Sequence, residues 1–137
     1  MTRKLNILLV EDDMIEIMKL NRTISSLNLN HKIIEANNGE EALTILRQKE
    51  HLPDIILLDL NMTKMNGIEF LNILRNDEQL MHIPTIILTT SNHQKDLLEC
   101  YKTGVSGYIT KPLKYEDYVI KIEKVLAYWS INELISV

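Results

Sequence analysis

The sequence has few features of a secreted or cross-linked protein. Cys100 is its only cysteine, so no disulfide can form within the chain. The first four residues lead directly into a short apolar run, without the longer apolar stretch of a secretory signal. We therefore expect a cytoplasmic protein in which Cys100 is a small packing residue of a helix rather than a redox centre.

Positive charge is also scarce. The 15 basic residues are outnumbered by 19 acidic ones, the formal net charge is −4, and no long basic run occurs. Such a chain lacks the electrostatic attraction by which proteins bind nucleic acid or anionic membranes. Neither is expected as a partner.

The few glycines and histidines exclude further kinds of site. The four glycines form neither a dinucleotide-binding fingerprint nor a Walker loop. The histidines have no metal-ligand spacing, and we expect them at the surface. They are His31, His51, His82 and His93.

The length and the composition are those of an ordinary globular domain. The chain has 137 residues, of which 45% are hydrophobic and 25% charged. These values are typical of soluble domains with one core. We expect residues 1–137 to form a single domain, with 128–137 as the end of the last helix and a tail, and we expect no separate output domain.

Short apolar runs alternate with segments of helical spacing. The runs 5–10, 55–58 and 85–89 are almost continuously apolar, as in parallel strands buried on both faces, and 32–36 and 107–109 are weaker candidates. Apolar residues recur at spacings of three or four in 17–27 and 119–129, and we expect the intervening helices at 40–48, 68–75 and 95–103. Five strand–helix pairs in this order predict a doubly wound α/β sheet with helices on both faces.

The polar residues that follow the predicted strands are candidates for a site. In a doubly wound sheet, ligands bind at the carboxyl ends of the strands. Glu11 and Asp12 follow the first strand, Asp59 the third and Lys111 the fifth, while Thr89 ends the fourth. Carboxylates gathered at one edge require a cation, and an all-oxygen set that leaves room for phosphate and water suits Mg²⁺.

The same residues suit phosphoryl transfer. Lys111 can pair with phosphate oxygens, and the Thr89 hydroxyl can donate a hydrogen bond to one of them. Positioning and electrostatics supply most of the catalysis in such reactions. Asp59 is then the expected nucleophile, which would form an aspartyl phosphate. Asp13 is instead interpreted as the cap of the following helix.

Four segments resemble the signatures of response-regulator receiver domains. They are 8–13 (LLVEDD), 57–62 (LLDLNM), 87–91 (ILTTS) and 107–112 (GYITKP), and they occur in the order of that family. The resemblance covers essentially the whole chain. It implies a flavodoxin-like fold of strand order 2-1-3-4-5 and a phosphoacceptor switch, with intrinsic phosphotransfer and autodephosphorylation, rather than a turnover enzyme.

The resemblance also implies roles for the site residues. Asp12 would ligate Mg²⁺ directly, Glu11 would act through water, and Asp59 would ligate the metal and accept the phosphoryl group. Asn61 would contribute its backbone carbonyl to the metal. The side chains of Asn61 and Ser91 would tune the lifetime of the aspartyl phosphate.

Further roles concern the last two strands. Thr89 and Tyr108 match the switch pair of the family, in which the hydroxyl moves toward the phosphoryl group and the ring moves inward. Lys111 matches the phosphate-binding lysine, and its bond to Pro112 is expected to be cis. Thr63 departs from the family, which usually has proline there, so the loop is expected to be more mobile.

Two rival functions remain possible. Residues 59–63 (DLNMT) are similar to the Asp-x-Asp-x-Thr motif of haloacid-dehalogenase-type phosphohydrolases, although Asn61 cannot act as the general acid/base of that motif. A receiver that binds partners without being phosphorylated is the second rival. The complete set of acidic, threonine and lysine residues speaks against it.

Partners follow from the same resemblance. A histidine kinase or a phosphotransfer protein would donate the phosphoryl group, and a downstream protein would bind the fourth helix, fifth strand and fifth helix. The apolar tail 128–137 resembles that of stand-alone receivers paired with cyanobacterial phytochromes, which often dimerise through it. We therefore expect a homodimer; the alternative is that Trp129 folds back onto its own core.

Overall fold

The computed structural model describes residues 3–48, 50 and 52–135. His51 and the last two residues of the tail lie outside this part of the chain. The described elements are β1 (Asn6–Val10), α1 (Met14–Ser26), β2 (Lys32–Ala36), α2 (Gly39–Arg47), β3 (Ile55–Leu58), α3 (Gly67–Arg75), β4 (Thr85–Thr89), α4 (Gln94–Thr103), β5 (Gly107–Thr110) and α5 (Tyr115–Ser130).

All five strands are parallel and lie in the order β2-β1-β3-β4-β5. The central strands β3 and β4 are buried at every position, because helices cover both faces of the sheet. The predicted fold class and strand order are confirmed. The predicted bounds lie within one residue of the observed ones, except that α1 and α5 begin three and four residues earlier than predicted.

Alternate residues of the strands face two separate cores. Leu8 and Val10 of β1 pack with residues of α2, α3 and α4, including Phe70 of α3. Ile7 and Leu9 pack with residues of α1 and α5 on the other face. Cys100 is completely buried in the first core, as expected for a packing residue.

The side chains of three polar residues cap the N-termini of the first three helices. Asp13 caps α1 by accepting a hydrogen bond from the backbone N–H of Ile15, as predicted. Asn38 caps α2, and Asn66 forms a capping box with Glu69 at the start of α3. Each capping residue lies in the loop that follows the carboxyl end of a strand, at the edge of the sheet where the site was predicted.

The predicted cis bond between Lys111 and Pro112 is wrong, because no described peptide bond is cis. The trans isomer is intrinsically favoured before proline by about 0.5–1 kcal/mol. The backbone N–H of Lys111 continues the hydrogen bonding of β5 by donating to the Thr89 carbonyl over 2.7 Å. The Lys111 side chain reaches the acidic cluster with the bond in this trans form.

The chain end packs partly against the core. Trp129 and Leu134 contact the core formed with α1 and α5, so Trp129 folds back onto its own domain. Tyr128 and Ile131 remain mostly exposed. None of the described helices has the length and apolarity that are needed to span a bilayer.

Candidate functional site

Three carboxylates meet at the carboxyl ends of β1 and β3. Glu11 follows β1 and donates its backbone N–H to Ala36, while Asp59 follows β3 and donates its N–H to Val10. One carboxylate oxygen from each of Glu11, Asp12 and Asp59 lies within 4.8 Å of the other two. Glu11 and Asp59 are buried, and Asp12 is half-buried. The structure thus brings together Asp59, which follows β3, and the two acidic residues that follow β1.

Lys111 enters this cluster from β5. Its Nζ atom lies 2.6 Å from Oε1 of Glu11 and 3.7 Å from Oε1 of Glu16. Burial alone lowers the pKa of Lys111, but the hydrogen bond to Glu11 and the negative charges of Glu11, Asp59 and Glu16 together outweigh it and raise the pKa above its ordinary value. Lys111 is therefore a buried ammonium held by carboxylates beside Asp59.

The acidic residues carry more negative charge than Lys111 neutralises. Burial raises the pKa of Glu11 to about 7, although Lys111 acts in the opposite direction. Burial also raises the pKa of Asp59, against the lowering effects of Lys111 and the Thr89 hydroxyl. The ionised cluster is thus short of positive charge.

A divalent cation would supply the missing charge. The donors at the cluster are carboxylate oxygens, the ligand type that Mg²⁺ prefers, and three of them leave positions for water or substrate oxygens. The residues present therefore fit a hard cation of this kind.

Asn61 lies in the loop after β3 and is exposed. It lines a groove with Asp12, Thr63 and Asp96, beside the acidic cluster. Its backbone N–H lowers the pKa of Asp59, so its main chain lies close to that carboxylate. Asn61 therefore lies at the mouth of the site, and its roles as a metal ligand and in tuning remain predictions.

The β3–α3 loop closes tightly against Asp59. A Cβ atom added to Gly67 would lie 2.5 Å from the Asp59 carbonyl oxygen and 2.7 Å from the Leu60 Cα, closer than any side chain permits. Only glycine lets α3 begin this close to the end of β3. Gly67 therefore helps to set the position of the Asp59 backbone.

Ser91 joins the two residues of the predicted switch pair. Its backbone N–H donates to Oγ1 of Thr89 over 3.3 Å, and its carbonyl accepts a 3.0 Å bond from the Tyr108 hydroxyl. Its own hydroxyl donates to Asp96 over 2.5 Å. Thr89 is completely buried, whereas Tyr108 is half-buried. The loop after β4 is thus bonded to both residues.

Sequence reasoning missed Glu16 and Asp96. Both are acidic residues in the first turn of a helix, where they are ordinarily explained by the helix dipole. The sequence offers no signal that separates these two residues from other acidic residues at the start of a helix. In the structure Glu16 is the second carboxylate beside Lys111, and it also pairs with Lys19 at 3.3 Å.

Comparisons with known proteins agree with this architecture. The probable methanogenesis regulatory protein FilR2 of Methanothrix harundinacea is 37% identical over 127 residues, covering 90% of this chain and 82% of that protein. Response regulator Rcp1 of Synechocystis is 30% identical, covering 90% of this chain and 87% of its own length. The manganese-bound form of Rcp1 superposes with a TM-score of 0.88 at 28% identity, over 96% of this chain and 99% of the other.

The phosphorylated cyanobacterial phytochrome response regulator RcpA superposes even more fully. Its TM-score is 0.91 at 31% identity, over 98% of this chain and 100% of the other. The predicted resemblance to phytochrome-associated receivers is thereby confirmed. The family model described as the response regulator receiver domain matches residues 7–123. The chain therefore belongs to the response regulator receiver domains of two-component signal transduction.

Proposed function

We propose that Asp59 accepts a phosphoryl group and that this modification switches the surface of the domain. The observation that carries the proposal is the convergence of Glu11, Asp12 and Asp59 within 4.8 Å, with buried Lys111 beside them. Converging carboxylates and an ammonium suit a reaction in which charge is neutralised around phosphorus.

In the proposed reaction, a carboxylate oxygen of Asp59 forms a bond to the phosphorus of a phosphohistidine. The bond from phosphorus to the imidazole nitrogen breaks, and the electron pair leaves with the imidazole, which is then protonated. Lys111 would turn from Glu11 toward the phosphoryl oxygens, and Thr89 would donate its hydroxyl to one of them. Hydrolysis of the acyl phosphate would later restore the free carboxylate.

The proposed cofactor is Mg²⁺, held by Asp12, Asp59 and the Asn61 carbonyl, with Glu11 acting through water. When bound, the cation would neutralise negative charge on the phosphoryl oxygens and on the carboxylates. Receiver domains bind Mg²⁺ at such an acidic cluster, and the manganese-bound form of Rcp1 supports a divalent site in this fold. Asn61 and Ser91 would adjust how fast water reaches the aspartyl phosphate.

The proposed phosphodonor is a histidine kinase or a histidine phosphotransfer protein, as is general in the family. The proposed output is binding of a downstream protein to the face formed by α4, β5 and α5. Movement of Thr89 and Tyr108 would alter this face, because both are bonded to the loop that precedes α4. The single-domain organisation of 1–137 and a cytoplasmic location belong to this proposal.

We also propose that two copies associate through α4, β5, α5 and the tail. Apolar side chains on these elements remain exposed, among them Leu98, Ile120, Tyr128 and Ile131. Burial of such side chains favours association. Sedimentation velocity with and without beryllium fluoride, a phosphoryl mimic, tests this. A monomer at high concentration in both conditions would refute it.

Intact-mass spectrometry tests the phosphorylation itself. Incubation with acetyl phosphate and Mg²⁺ should add one base-labile phosphoryl group to the wild type. Asp59→Asn should abolish the adduct, whereas the control Asp117→Asn, an exposed residue of α5, should retain it. An unmodified wild type would favour a receiver that binds partners without being phosphorylated. Steady turnover of small phosphomonoesters would favour a phosphohydrolase.

A further inference from the structure

Thr63 donates two hydrogen bonds to Asp12. Its backbone N–H lies 3.1 Å from Oδ2 of Asp12, and its hydroxyl lies 3.4 Å from the same oxygen. The first bond has ordinary geometry, and the second is long and weaker. Since proline has no backbone N–H, the residue usual at this position in related receivers could make neither bond.

The loop that carries Thr63 is fixed by its neighbours. Lys64 and Met65 both have left-handed backbones, with φ of 42° and 59°, a conformation that costs non-glycine residues about 1–2 kcal/mol each. Met65 packs closely on Gly39, at the start of α2: a Cβ atom added to Gly39 would lie 2.9 Å from the Cγ atom of Met65. Gly67 closes the loop against Asp59. The donors of Thr63 are therefore held in place rather than carried on a free loop.

The two bonds use only one side of the Asp12 carboxylate. An ionised carboxylate has two oxygens with about four acceptor positions. Both Thr63 donors point at Oδ2, so Oδ1 keeps its acceptor positions for a cation. Asp12 is only half-buried, so without such donors it could rotate away from Glu11 and Asp59.

We propose that Thr63 is a positioning residue for the divalent cation, holding Asp12 in the orientation in which the three carboxylates converge. The inference rests on the proposed magnesium site and adds a residue to it. Hydrogen bonds to a ligating side chain remove rotational freedom before the metal arrives, and their loss typically weakens metal binding about 10–100-fold. Proline would make the loop rigid. Threonine instead forms a direct hydrogen bond to Asp12, the proposed metal ligand.

Calorimetric titration with Mg²⁺ alone tests the proposal, using variants that remove the donors in steps. Thr63→Ser keeps both donors and should bind like the wild type. Thr63→Val keeps only the N–H donor, and its affinity for Mg²⁺ should be about two- to threefold lower. Thr63→Pro keeps neither donor, and its affinity should be about tenfold lower. Thr44→Val, which removes a helix hydroxyl that donates to the Glu40 carbonyl, is the matched control and should change nothing.

A second measurement does not depend on the proline variant folding. Amide hydrogen exchange of the wild type should show the Thr63 N–H protected, and Asp12→Ala should abolish that protection. Equal exchange in both proteins would overturn the proposal, as would magnesium affinity in folded Thr63→Pro equal to or above that of the wild type. If the wild type itself fails to bind Mg²⁺, the proposed function fails instead, so the two failures are distinguishable.

Discussion

The Nζ atom of Lys111 lies 2.6 Å from Oε1 of Glu11, and the two side chains are only 5% and 4% exposed. The pair spans one hundred residues of sequence and joins the ends of β1 and β5 across the sheet. Because Glu11 also crowds Asp12 and Asp59, Lys111 is the charge that lets these acids coexist in the absence of a metal. Its removal should therefore affect folding as well as chemistry.

Lys111→Met should lower the free energy of unfolding by about 1–3 kcal/mol, because it leaves buried carboxylates without their partner. The loss should be larger at pH 8 than at pH 5, where Glu11 can take up a proton instead. Urea denaturation in EDTA measures both. Lys124→Met, at an exposed position of α5, is the control. Equal losses in the two variants would contradict the role assigned to the pair.

The raised pKa of Glu11 predicts a pH dependence of stability. Its pKa is about 7 in the folded protein against an ordinary value of 4.5. Between these values the folded state binds a proton that the unfolded state has released. The free energy of unfolding of the metal-free protein should thus fall as the pH rises from about 4.5 to 7, by roughly 2–3 kcal/mol. In Glu11→Gln this decrease in the free energy of unfolding should be clearly smaller. An unchanged decrease would mean that other titrating groups cause the pH dependence.

Asp59→Asn should stabilise the metal-free protein at pH 7.5 by about 1 kcal/mol while abolishing phosphorylation. Burial raises the pKa of Asp59, so its ionised form is disfavoured in the folded state, and a neutral amide avoids that cost. Thermal melts in EDTA measure the gain. Added Mg²⁺ should stabilise the wild type more than the variant. A less stable Asp59→Asn protein in EDTA would contradict the prediction.

The fold was predictable because its strands carry a strong pattern. β3 and β4 lie between two helical layers, so the sequence shows continuous apolar runs at 55–58 and 86–88, and these alternate with helical segments along the chain. The site was predictable for the same reason. The carboxyl ends of parallel strands meet at one edge, so Glu11, Asp59 and Lys111 had to lie close together.

Interactions made by helix and loop residues were not predictable. Glu16 and Asp96 contact the site from helices, whose rotation about their axes depends on packing rather than on strand order. The bonds from Thr63 to Asp12 depend on left-handed residues in a loop without a recognisable turn sequence. The isomer of the bond before Pro112 involves an energy difference of only about 1 kcal/mol, which local context decides.

Gly67→Ala should destabilise the protein by roughly 2–3 kcal/mol, because the new Cβ would meet the Asp59 carbonyl at 2.5 Å and backbone atoms must shift to accommodate it. The displacement should also weaken Mg²⁺ binding, since it moves a proposed ligand. Gly107→Ala is the control: its Cβ would lie 3.5 Å from Ile86, an ordinary contact. Chemical denaturation and magnesium titration of both variants check this. Similar losses in the two would show that the crowding at Gly67 has no special effect.

Tyr108→Phe should favour the phosphorylated-like state. The Tyr108 hydroxyl donates to the Ser91 carbonyl over 3.0 Å, and this bond holds the ring in its half-buried position. If the ring must leave this position on activation, losing a bond worth about 1 kcal/mol makes the change easier. Beryllium fluoride should then bind roughly fivefold more tightly, as followed by calorimetry in the presence of Mg²⁺. Tyr101→Phe, on the exposed face of α4, should bind it like the wild type; weaker binding by Tyr108→Phe would mean that the hydroxyl stabilises the activated conformation instead.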